Sequence, residues 1–273
     1  MQAYRAWSPP SGTLGQIVSE TKARIDELRR RQRVLEASAA DQPTPPSFAA
    51  ALDRADVAII AEVKRRSPSR GEINAGLSPE SHAAAYHAGG AAAISVLTEP
   101  RHFGGSGEDL VAVRAAAPVP VLRKDFHLDP IQLVEARGLG ASAVLLIARS
   151  LHPRALASLA AQAQALSLEA LIEVRTEAEL DKALSIGAAI IGVNSRDLET
   201  LAVDITVAER LVPLVPAQCV AIAESGVRSR GDVERLATSG ADAVLVGSAL
   251  SAALDVAAAV RALTGVGRGS RAA

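Results

Sequence analysis

The sequence predicts a closed parallel α/β fold, a (β/α)8 TIM barrel, with one extra helix at its N-terminus. Three observations carry that reading. From residue 57 onward, short apolar β-branched runs alternate with Ala-rich helical stretches. Eight such strand–helix pairs can be read, at roughly 20–35 residues per pair, which matches the count of a closed barrel. The runs are nearly continuous in Val, Ile, Leu and Ala, as parallel strands covered by helices must be. A doubly wound open sheet is the structural rival. It would carry a Gly-rich phosphate fingerprint after its first strand, and EVKRRSPSRG (62–71) holds one glycine.

The elements follow in order. SPPSGT (8–13) is a loose lead-in, and Tyr4 and Trp7 before it either cover the barrel or are disordered. Leu14, Ile17, Ile25, Leu28 and Leu35 recur at helical spacing, predicting one amphipathic helix over 13–38. Its Arg29, Arg30, Arg31 and Arg33 read as a solvated face rather than an anion patch, because Asp26, Glu27 and Glu36 dilute the charge. DQPTPPS (41–47) is a break. Strands are expected at 57–63, 92–98, 120–126, 143–148, 169–174, 189–193, 220–225 and 243–247. Helices are expected near 79–88, 107–116, 130–138, 153–166, 177–186, 205–213, 230–239 and 249–263. Several are opened by a capping side chain and closed by glycine: Ser78 to Gly89, Asp129 to Gly138, Thr176 to Gly187, Ser229 to Gly240. The whole chain, 1–273, reads as a single domain, with 265–273 as a frayed tail.

Composition narrows the function. The 273 residues can bury a substantial core. A net charge of −1 leaves no overall pull toward nucleic acid or an anionic membrane. One cysteine, Cys219, precludes a disulfide framework and fits a reducing compartment. Aromatic residues at 2% argue against base-stacking platforms. No apolar run is long enough to span a bilayer, and residues 1–20 lack the order of a secretory signal. The expectation is a cytoplasmic enzyme or binder of a small molecule.

The reactive face of a parallel barrel is the carboxyl end of its strands. There the sequence places Glu62 and Lys64, Lys124, Glu173, Asn194 and Arg196, Glu224 and Ser225, and Gly247 and Ser248. Side chains two apart share a face, so Glu62 with Lys64 and Lys124 with Phe126 project together. A salt-bridge network is the bland explanation, yet such a network stabilises less than apolar packing would. The small residues of AESG (223–226) and VGS (246–248) lead into helices and suggest a phosphate site at the last two loops.

IIAEVKRRSPSRG (59–71), AISVLTE (93–99), VLRKDF (121–126), AVLLIA (143–148), LIEV (171–174), NSRDL (194–198), AESG (223–226) and LVGSAL (245–250) closely resemble the indole-3-glycerol phosphate synthase family of tryptophan biosynthesis. The resemblance runs from about residue 13 to 263, in the family's order. It implies a carboxy-lyase that turns 1-(2-carboxyphenylamino)-1-deoxyribulose 5-phosphate into indole-3-glycerol phosphate, carbon dioxide and water. Lys124 is implied as general acid; set among other cations, it would have a lowered pKa. Glu173 is the implied catalytic carboxylate, with Glu62, Lys64, Asn194 and Ser225 in the same catalytic site. Arg196 would orient the anthranilate end, and Phe126, Leu145 and Leu198 would supply a slot for the ring. Ser67 and Pro68 belong to the first loop, with Glu224 beside the reacting sugar. Ser67, Ser225, Gly226, Gly247 and Ser248 would hold the phosphate. No cofactor and no metal is implied, nor any nucleic-acid or membrane partner. A monomer is expected, with other tryptophan-pathway enzymes as candidate protein partners.

Two positions depart from the family pattern: Ser195, where a second asparagine is usual, and Arg175, where histidine is usual. By strand parity both should face the helices or the rim. Phe103 reads as loop packing. His82, His87, His102, His127 and His152 read as surface or cap residues, and Cys219 as a packed side chain. Lys124 would also suit a Schiff-base aldolase, and the small-residue turns another phosphate-binding barrel enzyme such as an isomerase. From a different class, a non-catalytic phosphate binder on a decayed barrel would keep the cradle without the acid–base set.

Overall fold

The computed structural model describes residues 7–271; Tyr4 lies outside them. Its eight central strands are β1 (Ala58–Val63), β2 (Ala93–Leu97), β3 (Val121–Lys124), β4 (Ala143–Ile147), β5 (Glu169–Val174), β6 (Ile190–Asn194), β7 (Val220–Glu224) and β8 (Ala243–Val246). Each pairs in parallel with its sequence neighbours, and β1 pairs with β8, which closes the barrel and leaves no open edge.

Period-two alternation divides the core in two. Ile59, Ala61, Val144, Leu146, Ile172, Ile191 and Val244 face outward into the helical shell. Ala58, Ile60, Leu122, Leu145, Leu171, Ile190, Ile222 and Leu245 fill the interior. Phe48 and Leu52, from a short helix (Phe48–Leu52), join that interior cluster, and Ser47 and Ala49 bond Glu169 at the first residue of β5. The amino end of the barrel is thereby plugged, and the cavity is confined to the carboxyl end.

The capping residues act as expected at Ser78, Thr176 and Ser229, each accepting from the backbone N–H three residues on. Several expectations need correction. The N-terminal helix is two helices, Gly12–Arg30 and Gln32–Asp41, broken at Arg31, whose ψ of 10° leaves the helical range. The helix after β3 is Pro130–Leu139, and Gly140, at φ 84°, ends it instead of Gly138. Gly138 is a point of close approach, where Ser38 and Gln42 donate to its carbonyl at 3.3 and 2.8 Å. The stretch 249–263 folds as two short helices, Ser248–Ser251 and Val256–Arg261.

Residues 265–271, read as frayed, are docked at the amino end of the barrel. Val57 donates to Val266 at 2.8 Å, and Asp242 holds both Arg268 and Arg271. Ion pairs invisible to local patterning order this segment. Among the described residues no helix is long and apolar enough to cross a membrane.

Candidate active site

A cavity of about 400 Å³ opens at the carboxyl ends of the strands. All the residues singled out from the sequence line it: Glu62, Lys64, Ser67, Pro68, Lys124, Phe126, Leu145, Glu173, Asn194, Arg196, Leu198, Glu224, Ser225, Gly226, Gly247 and Ser248. The strands converge them because Glu62, Lys124, Glu173, Asn194 and Glu224 all occupy inward positions near strand ends, immediately above the apolar interior.

Lys124 sits at the centre of three carboxylates. Its Nζ lies 3.1 Å from Glu224, 3.7 Å from Glu173 and 4.0 Å from Glu62. Lys64 pairs with Glu62 at 2.7 Å. This corrects the expectation of an ammonium among cations with a lowered pKa. Burial alone would favour neutral Lys124, but Glu224, Glu173 and Glu62 outweigh it and raise the pKa far above the usual ammonium value.

The carboxylates differ from one another. Burial dominates at Glu224, which is 1% exposed, and pushes it up to about 7 against the pull of Lys124. Both of its oxygens lack a well-aligned hydrogen bond. Burial likewise raises Glu173, with Lys124 and Asn194 opposing. Glu62 is buried too, yet Lys64 and Lys124 together hold it below the ordinary carboxylate value. The mouth therefore contains one firmly ionised carboxylate, Glu62, and one that can carry a proton near neutrality, Glu224, while burial also raises Glu173 above the ordinary carboxylate value.

Local structure holds this set in place. A Cβ on Gly192 would collide with Glu224, and one on Gly247 would lie 2.7 Å from Lys64 Nζ while also striking Glu62. Both glycines are there because charged side chains fill their space. Tyr86 and Ser251, both buried, donate to the Glu62 carbonyl at 3.0 and 2.9 Å. Asn194 Oδ1 accepts from the Arg196 N–H at 2.9 Å, turning the chain at the end of β6. Asp125, next to Lys124, is bonded by both Arg24 nitrogens and by Thr98, which fixes the base of β3's exit. Three described residues other than glycine have positive φ; Ser225 (65°) and Leu201 (66°) are two of them, and both line the cavity.

Some features were not legible in the sequence. Phe103 is not mere loop packing: it lines the cavity, and its ring lies 6.2 Å from that of Phe126. The helix Pro100–Phe103 delivers it, and Glu99 caps that helix with bonds to three backbone N–H groups. Thr13, Leu14 and Ile17 of the N-terminal helix also form cavity wall, as do Arg70 and Arg228. Their signal was an amphipathic stripe and loop charges, neither of which reports a partner. His127 is neither surface nor cap. It is 1% exposed, bonds the Leu145 carbonyl at 2.8 Å, and is lowered to about 4 by burial and Arg123. Ser195 is fully buried away from the cavity, and Arg175 lies at the rim, donating to the Ser195 carbonyl at 3.1 Å.

The indole-3-glycerol phosphate synthase family model matches residues 14–263. The chain belongs to this family. A relative from Mycolicibacterium smegmatis, named indole-3-glycerol phosphate synthase, is 48% identical over 89% of this chain and 87% of its own length. One from Dehalococcoides mccartyi with the same name is 46% identical over 87% and 95%. Indole-3-glycerol phosphate synthase 2 of Streptomyces coelicolor is 45% identical over 93% and 100%. Among solved structures, a thiamine phosphate pyrophosphorylase from Pyrococcus furiosus superposes with TM-score 0.56 at 17% identity, covering 76% of this chain and 93% of its own. A mandelate oxidase does so with TM-score 0.56 at 18%, covering 84% and 88%. These last two share the fold alone.

Proposed function

We propose that the chain closes the indole ring, converting 1-(2-carboxyphenylamino)-1-deoxyribulose 5-phosphate into indole-3-glycerol phosphate with loss of carbon dioxide and water. The observation that carries this reading is the placement of Lys124 among Glu62, Glu173 and Glu224 in the mouth of a barrel of this family. The conversion is redox-neutral, and proton transfers suffice for every step.

In the first step a ring carbon attacks the ribulose ketone, whose oxygen becomes an alkoxide. Lys124 delivers the proton. An ammonium with a raised pKa is a weak acid toward water, but a nascent alkoxide is more basic still, so the transfer remains downhill. The three carboxylates then hold the lysine in place and supply its replacement proton, with Glu224 at about 7 as the nearest source. Loss of carbon dioxide restores conjugation in the benzene ring. Dehydration follows: a protonated carboxyl assists departure of hydroxide, and a carboxylate removes the proton from the adjacent ring carbon. Glu173, raised by burial and in reach of Lys124, serves as this acid–base group. Lys64, fixed on Glu62, binds and orients the sugar hydroxyls.

Phe126, Leu145 and Leu198, now joined by Phe103, form the slot for the benzene ring, and Arg196 faces its carboxylate. Asn194 orients Arg196 and touches the reacting end. Ser225, Gly226, Gly247 and Ser248 cradle the phosphate, with Ser67 and Pro68 approaching from the first loop and Glu224 beside the sugar. The chain is read as a cytoplasmic monomer, its lone cysteine, Cys219, fitting a reducing compartment.

The test is the appearance of indole fluorescence when the carboxyphenylamino-deoxyribulose phosphate is added without metal or cofactor. No fluorescence from folded protein would overturn the proposal. A borohydride-trapped adduct on Lys124 would favour a Schiff-base aldolase instead.

A further inference from the structure

The first loop does not trail loosely from β1. Arg66–Ser67 and Gly71–Glu72 pair antiparallel, and the turn between them is closed by the Arg70 N–H donating to the Ser67 carbonyl at 3.3 Å. Pro68 pre-sets its own φ in this turn. Gly71 lies at φ +66°, and a Cβ there would meet nothing within 4 Å, so backbone conformation rather than crowding asks for glycine. Ile73 and Asn74 tie the returning strand to the Arg65 carbonyl at 2.8 and 3.0 Å. A built hairpin thus presents Ser67, Pro68, Ser69 and Arg70 at the cavity wall.

The charges around this hairpin are unevenly matched. Lys64 and Lys124 are both engaged by carboxylates. Among the described residues, neither Arg70 nor Arg196 forms an ion pair, although both line the cavity. Arg196 commits one nitrogen to the Leu201 carbonyl at 2.9 Å. Arg70 lies near enough that, after burial, its charge is the largest influence weakening proton binding at Arg196. Two guanidiniums lining one cavity repel, and at Arg196 the Glu62 carboxylate offsets this only in part. The arrangement becomes favourable when a planar anion enters.

We propose that Arg70 and Arg196 form a two-arginine clamp on the carboxylate of the aromatic acid, the hairpin supplying the outer guanidinium. This rests on the reading above that the anthranilate end lies at Arg196, and adds to it a recognition residue from the first loop. The carboxylate is held while the carbon–carbon bond forms. In decarboxylation the electron pair of the breaking carbon–carbon bond neutralises the iminium left by ring closure, so the ion pair is given up in that step and no anion remains to hold the clamp once carbon dioxide leaves.

The test compares two inhibitors obtained by reducing the ketone: one from the substrate itself, one from its aniline counterpart, which keeps the phosphate but lacks the carboxylate. Arg70 is exposed, so Arg70→Gln should weaken the carboxylated inhibitor by about two- to fivefold, the upper part of the range for an exposed charge pair. It should leave the aniline counterpart and inorganic phosphate within about twofold. Equal losses for both inhibitors would place Arg70 on the phosphate and overturn the clamp, and so would no loss for either. Arg196→Gln measured alongside separates the two readings. If it treats the inhibitors alike, the placement of the anthranilate end is wrong and the clamp falls with it; if it discriminates and Arg70→Gln does not, the clamp alone falls.

Discussion

Replacing Glu224 with glutamine removes a charge while keeping the side chain's size, and the structure says how the result must depend on pH. Glu224 is buried and raised from 4.5 to about 7. A carboxyl raised on folding favours the native state while it is protonated; that advantage is lost as pH climbs from the unfolded value through the folded one. Over a shift of this size the loss amounts to about 3 kcal/mol, most of it between pH 5 and 8. Glutamine cannot ionise and incurs no such penalty. Urea unfolding of both proteins across that range should therefore show Glu224→Gln gaining on the parent as pH rises, by about 2–3 kcal/mol in all. The slope decides, because a constant offset from packing or the amide's hydrogen bonds would not change with pH. A difference flat to within about 0.5 kcal/mol would mean that Glu224 is ionised throughout, and the proton source assigned to it would be gone.

Three further outcomes are expected. Lys124→Gln should lower kcat by about 10²–10⁴-fold, because it removes the acid and leaves three carboxylates facing one another; near-parental turnover would take Lys124 out of the chemistry. Gly247→Ala would push a methyl against Lys64 and Glu62; it should lower both turnover and phosphate affinity in steady-state and competition assays, and unchanged kinetics would show that the pair can shift freely. Arg24→Ala removes a bidentate partner of buried Asp125, which keeps Thr98 and Arg123. It should destabilise the fold by about 1–3 kcal/mol, less than a fully stranded buried charge costs, and thermal unfolding measures it.

The barrel was legible because its elements are local statements: apolar runs of strand length, caps three residues before a helix turn, polar residues at one end of each run. The site residues followed from that placement, and parity paired Glu62 with Lys64 and Lys124 with Phe126. That Glu62, Glu173 and Glu224 could meet Lys124 in a salt-bridge network was legible; that they lie within 4.0 Å of it, outweigh its burial and raise its pKa was not, because they come from β1, β5 and β7 and meet only when the sheet closes. Residue type at a strand end says nothing of the neighbour across the cylinder. His127 misled for a related reason. It follows a strand as a loop residue would, yet the chain folds back and seats it on the Leu145 carbonyl. Phe103 depended on a four-residue helix whose cap, Glu99, lies outside the barrel pattern. The terminal segment looked frayed because Asp242, its anchor, is about thirty positions away in sequence and carries no local signature.

The docking of residues 265–271 at the amino end has a practical bearing on how the molecule can be tethered. Trp7 and the start of the first helix lie against Arg149 and Glu199, with Ser11 bonded to Glu199 at 2.6 Å, and the neighbouring Thr13, Leu14 and Leu198 belong to the cavity wall. A fused protein or an immobilising surface attached at that terminus would crowd the doorway. One attached after Arg271 would hang from the far pole of the cylinder and leave diffusion into the cavity untouched, so the tail is the natural handle for linking this catalyst to another or to a bead.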